Sequence, residues 1–352
     1  RPAPAIPVTE ASQVGESRRQ IVGLAAELGF GETERGRVAI VASELATNLV
    51  RHGDGGELII RPLLTSGIPG IEILSLDRGP GIRNVEQALS DGFSTAGTSG
   101  HGLGGVGRLT SLFDVFSIAS DVPSVTSVAS GSRARKAPSR GTALAAQLWA
   151  AELPSTVGPR FMEGVVSLPY PGESVCGDAW AIERDGERAV IMVADGLGHG
   201  PAAAEASAEM VRVFRDGPLR GPAAIIDIGH IALRSTRGAA VAVADIDMQH
   251  GTVRFSGVGN ISAAILDGGE SHSMMSHNGT VGYEMRKARE VTYAWQEKSL
   301  LVMHSDGLHT NWRLDSYPGL ALTHPSIVAG VLYRDFTRGR DDVTVLVARD
   351  GT

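Results

Sequence analysis

Cysteine is almost missing from this chain: Cys176 is the single one in 352 residues. One thiol excludes an intrachain disulfide and suits a reducing compartment. Long apolar runs are missing as well. None approaches the ~20 residues that a membrane span needs, and the first residues carry no signal-peptide core. The expected location is the cytoplasm, with no membrane partner. Positive charge is short: 32 Lys and Arg stand against 39 Asp and Glu, a net charge of −7. Phosphate neutralisation calls for a basic surface, so a general nucleic-acid binder is excluded. No histidine–cysteine spacing suggests zinc.

What is present is a foldable composition, 42% hydrophobic and 20% charged, with 45 glycines. The length favours two domains. The pattern places one over 9–151, a linker over 152–160, and a second domain over 161–352. Arg1 to Val8 reads as a poorly ordered lead-in. Apolar spacing predicts helices from Glu10 to Leu28 and from Thr33 to about His52, then strands at Glu57–Arg61 and Gly70–Leu76. A further helix is expected from Val106 to Leu112. Between Asp121 and Arg140 lies a serine- and arginine-bearing run that reads as a solvated surface loop.

Three pieces of the first half carry chemistry. Glu44 and Asn48 stand at i, i+4 and so share a helix face. They suit a nucleotide-bound magnesium ion and an attacking hydroxyl, or they merely mark the solvent side. Asp77-Arg-Gly-Pro-Gly81 follows a strand directly; its aspartate suits an exocyclic amine, and its glycines leave room for a flat base. Gly97-Thr-Ser-Gly-His-Gly-Leu-Gly-Gly105 precedes a helix, where backbone N–H groups face phosphates. It lacks the lysine–serine pair of a P-loop and the preceding strand of a dinucleotide fold.

In that order, with Ser43 to His52 and Gly141-Thr142, these pieces resemble the GHKL ATPase superfamily. The small serine kinases of bacterial partner-switching systems, anti-sigma-factor kinases and the stressosome kinase, are the most similar branch. The resemblance implies an α/β sandwich of Bergerat type that binds ATP with Mg²⁺. It implies Glu44 as general base and Asn48 as magnesium ligand. Asp77 would read the adenine amine beside Gly79 and Gly81. Gly100, Gly102 and Gly104 would line the phosphates, and Thr142 would close the adenine pocket.

The second half is marked by acids at strand ends. Phe161–Leu168, Cys176–Ile182 and Arg188–Ala194 read as strands, the last two joined by the Asp185-Gly186 turn. Asp178 and Asp195 therefore fall on neighbouring strands. Pro201 opens an alanine-rich helix, and Pro222–Leu233 reads as another. Arg237–Asp247, Thr252–Val258, Lys298–His304 and Asp342–Ala348 complete the strands, and Gly257 to Leu266 reads as one strand broken by glycines. Asp306, Asp341 and Asp342 also lie at strand ends. Each acid alone could cap a turn, Asp195 included. Four ends with acids call for a hard cation bound by oxygen.

Gly177-Asp178, Asp195-Gly-Leu-Gly-His-Gly200, Gly257-Val-Gly-Asn260, Ser305-Asp306-Gly307 and Asp341-Asp-Val-Thr-Val345 resemble the PPM protein phosphatases. They are most similar to the sporulation stage II E branch. The resemblance implies a β-sandwich flanked by helices that uses two Mn²⁺ or Mg²⁺ ions. Asp195 would bridge them, with the Gly196 carbonyl on one, Asp306 and Asp341 on the other, and Asp178 direct or through water. Asp342 is the alternative to Asp341. The whole then reads as an α/β (α+β) fusion of serine kinase and serine/threonine phosphatase. Its expected partner is a phosphorylated anti-sigma antagonist of STAS type, with a sigma factor or stress scaffold behind it. The alternative makes the first half a non-catalytic binding or nucleotide-sensing module that regulates the phosphatase.

Overall fold

In this computed structural model residues 5–89, 102–119, 139–154 and 161–351 are described. Residues 155–160 of the linker expected over 152–160, Gly100 and most of the 121–140 loop lie outside them. The chain divides into two compact units: Ala3–Val157 with Arg313–Val331, and Gly158–Trp312 with Leu332–Thr352.

The N-terminal unit starts with strand β1 (Ala5–Val8) and helices α1 (Ala11–Glu27) and α2 (Glu32–His52). The expected lead-in is therefore corrected. Ala5–Val8 pairs antiparallel with the next strand, Ala5 opposite Ile59, and buries Ile6 and Val8. An alternation this short is invisible without its partner strand. Gly29 (φ 85°) turns the chain after α1, a backbone conformation that glycine adopts at no steric cost. Acidic residues in the first turn of α2 and Arg51 and His52 in its last match the helix dipole.

β2 (Gly56–Thr65), β3 (Ile68–Asp77), α3 (Val85–Leu89), α4 (Gly102–Leu109), β4 (Leu112–Ile118) and β5 (Gly141–Trp149) follow. The helix expected at 106–112 thus starts and ends earlier, and Leu112 opens a strand instead. Leu112, Phe113, Val115 and Phe116 pair with β5, and this tertiary pairing overrides the helical spacing. The sheet order is β1-β2-β3-β5-β4. Its helical face buries Val38, Leu45 and Leu49 of α2 against Leu58, Ile73 and Leu144.

The C-terminal unit contains β6 (Phe161–Leu168), β7 (Asp178–Asp185), β8 (Arg188–Gly196), α5 (Pro201–Arg215), α6 (Pro222–Ala232), β9 (Ala239–Asp247), β10 (Thr252–Val258) and β11 (Ser262–Asp267). Then come β12 (Glu270–Ser273), two short strands β13 (Gly279–Thr280) and β14 (Glu284–Met285), β15 (Val291–Ala294), β16 (Leu300–His304) and β17 (Val343–Asp350); helix α7 (Pro325–Phe336) is divided, its residues through Val331 counting with the N-terminal unit and the rest with this one. Helix α7 was not anticipated from the sequence.

Two sheets, β15-β10-β9-β8-β7 and β12-β11-β16-β17-β6, close on a shared core that includes Ile191, Val193, Phe255, Leu301 and Leu346. The outer face of the first sheet packs on α5 and α6 through Met192, Val243, Phe214 and Ile226. The single strand expected from Gly257 to Leu266 is two strands in different sheets. The break falls at Gly259 (φ 96°), where a Cβ would meet that of Ala240 at 2.4 Å. Phe255 is fully buried, so Phe255→Ala is expected to destabilise by about 3–5 kcal/mol. The exposed Leu64→Ala should stay within about 0.5 kcal/mol. Urea midpoints of the full chain check both.

Candidate functional site

The β7–β8 hairpin sets its register at the Asp185-Gly186 turn, and that register places Asp178 directly opposite Asp195. The helix after Asp195 is not capped by it. Gly200 (φ 75°) is the N-cap of α5, and no side chain caps the helix. Three glycines let backbone close around the acids. A Cβ on Gly196 would meet the Ala203 carbonyl at 2.0 Å, one on Gly177 the Asp342 Oδ2 at 2.6 Å, and one on Gly307 the Asp342 carbonyl at 2.0 Å.

Asp178, Asp342, Asp306 and Asp341 are each held by one oxygen. Ser305 Oγ–H donates to Asp178 Oδ2 (2.6 Å), while the Thr344 N–H donates to Ser305 Oγ (2.9 Å). The Tyr170 N–H donates to Asp342 Oδ1 (2.9 Å), and Asn260 Nδ2 to Asp306 Oδ2 (2.8 Å). Asp341 Oδ1 accepts the Asp342 N–H (3.0 Å). The other oxygens of two buried acids, Asp178 Oδ1 and Asp342 Oδ2, have no hydrogen-bond partner. A buried carboxylate oxygen without a partner carries a large desolvation cost.

Burial, then the nearby Asp178, Asp306, Asp341 and Asp342 charges, push the Asp195 carboxyl up to about 9. Burial also lifts Asp178 to about 7 against its hydrogen bond from Ser305, with Asp342 and Asp341 adding to the rise. Burial and the Asp306 charge raise Asp341. The Cys176 thiol is pushed up by burial and by Asp178 and Asp342. Among the described residues no three His, Cys, Asp or Glu side chains form a finished ligand cage.

Several residues around these acids escaped the sequence reading. Asn260 and Ser305 were visible only as parts of motifs. His199 stacks on Tyr170 (centroids 4.8 Å apart) with its Nδ1 3.2 Å from Glu173 Oε1. Trp312 Nε1–H donates to His304 Nε2 (3.0 Å), and His304 Nδ1 meets the Ser305 carbonyl (2.8 Å). A cleft of about 330 Å³ lies beside Asn260, lined by Ser262, Ser273, His304 and Trp312.

In the N-terminal unit Glu44 and Asn48 are half-buried on α2, beside the core residues Leu45 and Leu49. Asp77 ends β3, buried, and its Oδ1 accepts the N–H groups of Gly79 (2.9 Å) and Thr142 (3.0 Å). Thr142 Oγ1 lies 2.9 Å from Ser117 Oγ. A Cβ on Gly79 would meet Gly53 at 2.8 Å, and one on Gly81 (φ 75°) the Ile118 carbonyl at 2.1 Å. Backbone packing therefore demands both glycines whatever they face. Gly102 (φ 54°) opens α4, which contains Gly104.

A family model described as Stage II sporulation protein E (SpoIIE) matches residues 185–350. Another, Histidine kinase-like ATPase domain, matches residues 6–125. The two models match successive parts of the chain, a histidine kinase-like ATPase domain followed by a SpoIIE domain. Its ATPase part is 39% identical over 80 residues to the serine/threonine-protein kinase RsbT of Bacillus subtilis, 23% of this chain and 60% of RsbT. Its SpoIIE part is 27% identical over 146 residues to the phosphoserine phosphatase RsbX of the same organism, 41% of this chain and 73% of RsbX. The chain thus spans less than two thirds of RsbT. A solved structure described with the bacterial stressosome, as a modular system adapted to control secondary messenger signalling, matches with a TM-score of 0.51. It is 30% identical, covering 54% of this chain and 99% of that one. Among the described residues no helix is long and apolar enough to cross a membrane.

The acids of the SpoIIE unit set a pH dependence. Asp195 binds its proton up to about pH 9 when folded and only to 3.8 when unfolded, so proton binding favours the folded state at low pH. That contribution is lost as pH rises toward 9. In EDTA the melting temperature should fall between pH 6 and 9. Millimolar Mn²⁺ should restore it more at pH 8.5 than at pH 6, and Asp195→Asn should flatten the slope. Differential scanning fluorimetry reads all three.

Proposed function

We propose that the chain is a partner-switching regulator with two opposed activities. The SpoIIE unit removes phosphate from serine or threonine of a regulatory protein, an antagonist of STAS type or a stress scaffold. The ATPase unit phosphorylates serine with ATP. The observation that carries the phosphatase reading is the Asp178–Asp195 pair, opposite one another at a strand end. With it go two buried carboxylate oxygens left without partners.

Oxygen donors of this kind fit two Mn²⁺ or Mg²⁺ ions. Asp195, the Gly196 carbonyl, Asp178, Asp306 and Asp341 are the proposed ligands. The buried Asp342 Oδ2 makes Asp342 an equal candidate beside Asp341. Such ions supply a nucleophile at neutral pH and neutralise phosphoryl charge. The chain's own residues hold the geometry. Ser305 fixes Asp178 by Oδ2 and leaves Oδ1 for binding, Tyr170 does the same for Asp342, and Asn260 orients Asp306. Cys176 is buried and held as the thiol, so it has no nucleophilic part.

In the ATPase unit Glu44 would take the proton from the substrate hydroxyl and Asn48 would hold Mg²⁺. Asp77, with Gly79, Gly81 and Thr142, would read adenine, and Gly100, Gly102 and Gly104 would face the phosphates. Mg²⁺ supplies charge neutralisation at the γ-phosphate. Two such activities on one site would only consume ATP, so they act on different sites or in alternation.

Asp195→Ala should lower Mn²⁺-dependent hydrolysis of p-nitrophenyl phosphate at least about 1,000-fold, a loss typical of removing a residue central to the transition state; undiminished turnover refutes the metal assignment. Glu44→Ala should abolish transfer from [γ-³²P]ATP to a partner recovered by pull-down. ADP binding by titration calorimetry should remain within about threefold, because a general base adds little to ground-state affinity. Loss of both would make Glu44 structural.

A further inference from the structure

β3 reads Ile71-Glu-Ile-Leu-Ser-Leu76, apolar on both faces. Ile71 and Ile73 face the helices; Leu74 and Leu76 are equally buried yet lie outside that core. A strand apolar on both sides demands cover on both. The helices cover one face of the ATPase sheet, and residues Arg313–Val331, which count with this unit, cover the other.

The cover is specific. Glu72, 2% exposed, accepts Arg61 Nε–H (2.9 Å), Gln147 Nε2–H (2.8 Å) and Ser326 Oγ–H (2.7 Å). The Arg61 and His324 charges hold Glu72 ionised against the burial that opposes it. The His324 N–H donates to Asp114 Oδ2 (2.6 Å), and the Tyr317 ring meets that of Phe116 (6.5 Å). At Gly330 a Cβ would meet Leu74 Cδ2 at 2.8 Å, so helix α7 approaches the sheet as closely as its glycine allows.

The footholds Glu72, Asp114, Phe116 and Gln147 lie on β3, β4 and β5. The same three strands carry Asp77, Ser117 and Thr142 at their ends, joined by hydrogen bonds, and Asp77 and Thr142 are the residues proposed to read adenine. Along the chain, 313–331 is also the stretch between Asp306 and Asp341.

We propose that Arg313–Val331 is a built-in ligand of the ATPase sheet, and that its seating is linked to nucleotide binding. The inference rests on the two-activity reading above and gives it a regulatory element: nucleotide tightens the segment, and the segment's two ends lead to acids of the phosphatase. By reciprocity, loosening the segment weakens nucleotide binding by the same factor.

The test uses the full chain with ADP and Mg²⁺. Calorimetry measures binding, hydrogen–deuterium exchange follows 313–331, and p-nitrophenyl phosphate hydrolysis with Mn²⁺ is assayed with and without ADP. We expect ADP to slow exchange across 313–331 and to change the hydrolysis rate at least about threefold. Ser326→Ala should weaken ADP about fivefold, within the usual range of coupling between sites, and should shrink its effect on hydrolysis. Tyr317→Ala, which leaves the Glu72 cluster intact, should do the same. ADP that binds while leaving both exchange and hydrolysis unchanged overturns the linkage alone. Failure of ADP to bind overturns the nucleotide reading and the linkage together.

Discussion

Repulsion between carboxylates organises the SpoIIE unit. A hairpin register that sets Asp178 against Asp195, with Asp306, Asp341 and Asp342 close enough to raise their proton affinity, costs folding energy wherever the groups are ionised. The fold meets that cost by pinning one oxygen of an acid and leaving another turned inward. Ser305, Tyr170 and Asn260 do the pinning, and each donates to a single carboxylate oxygen. Glycines at 177, 196 and 307 let backbone come near enough for this, since a side chain at any of them would collide with a neighbour. Electrostatic strain, hydrogen bonding and chain geometry are therefore one problem with one solution. In the proposed two-metal reading, that strain is what a bound cation would relieve.

The ATPase unit solves a different problem, a buried carboxylate on a sheet face. Glu72 lies beneath three donors, and each donor comes from a different part of the chain: Arg61 from β2, Gln147 from β5 and Ser326 from the segment after Trp312. Removing one partner of such a cluster leaves a charge underground and costs far more than the pair contributes in place. A network of this type specifies which segment may cover the sheet, because an apolar cover alone would be interchangeable.

Local signals made much of this readable in advance. The Asp185-Gly186 turn predicted that Asp178 and Asp195 would be neighbours, and Pro201 with the alanine-rich stretch after it predicted α5. Apolar spacing found α1 and α2 to within a residue or two. What stayed hidden depended on distant partners. Ala5–Val8 is a strand only because β2 lies beside it, and Leu112 leaves its helix because β5 offers a ladder. Gly257 to Leu266 looks like one strand until Ala240 is known to sit against Gly259. Asp341 and Asp342 are adjacent in sequence, yet only packing distinguishes the buried acid from the more exposed one. The covering role of 313–331 had no local signature at all.

The single thiol acquires a meaning from its address. Cys176 sits two residues from Asp178, buried beside Ser167 and held neutral by the acids around it. A neutral buried sulfur is a poor target for alkylation and for peroxide alike. In the folded molecule burial, with the neighbouring acids added to it, therefore shields the chain's one thiol. Sulfur-linked dimers therefore call for molecules in which Cys176 has become exposed, so their appearance on storage would record the opening of this part of the fold rather than the chemistry of the surface.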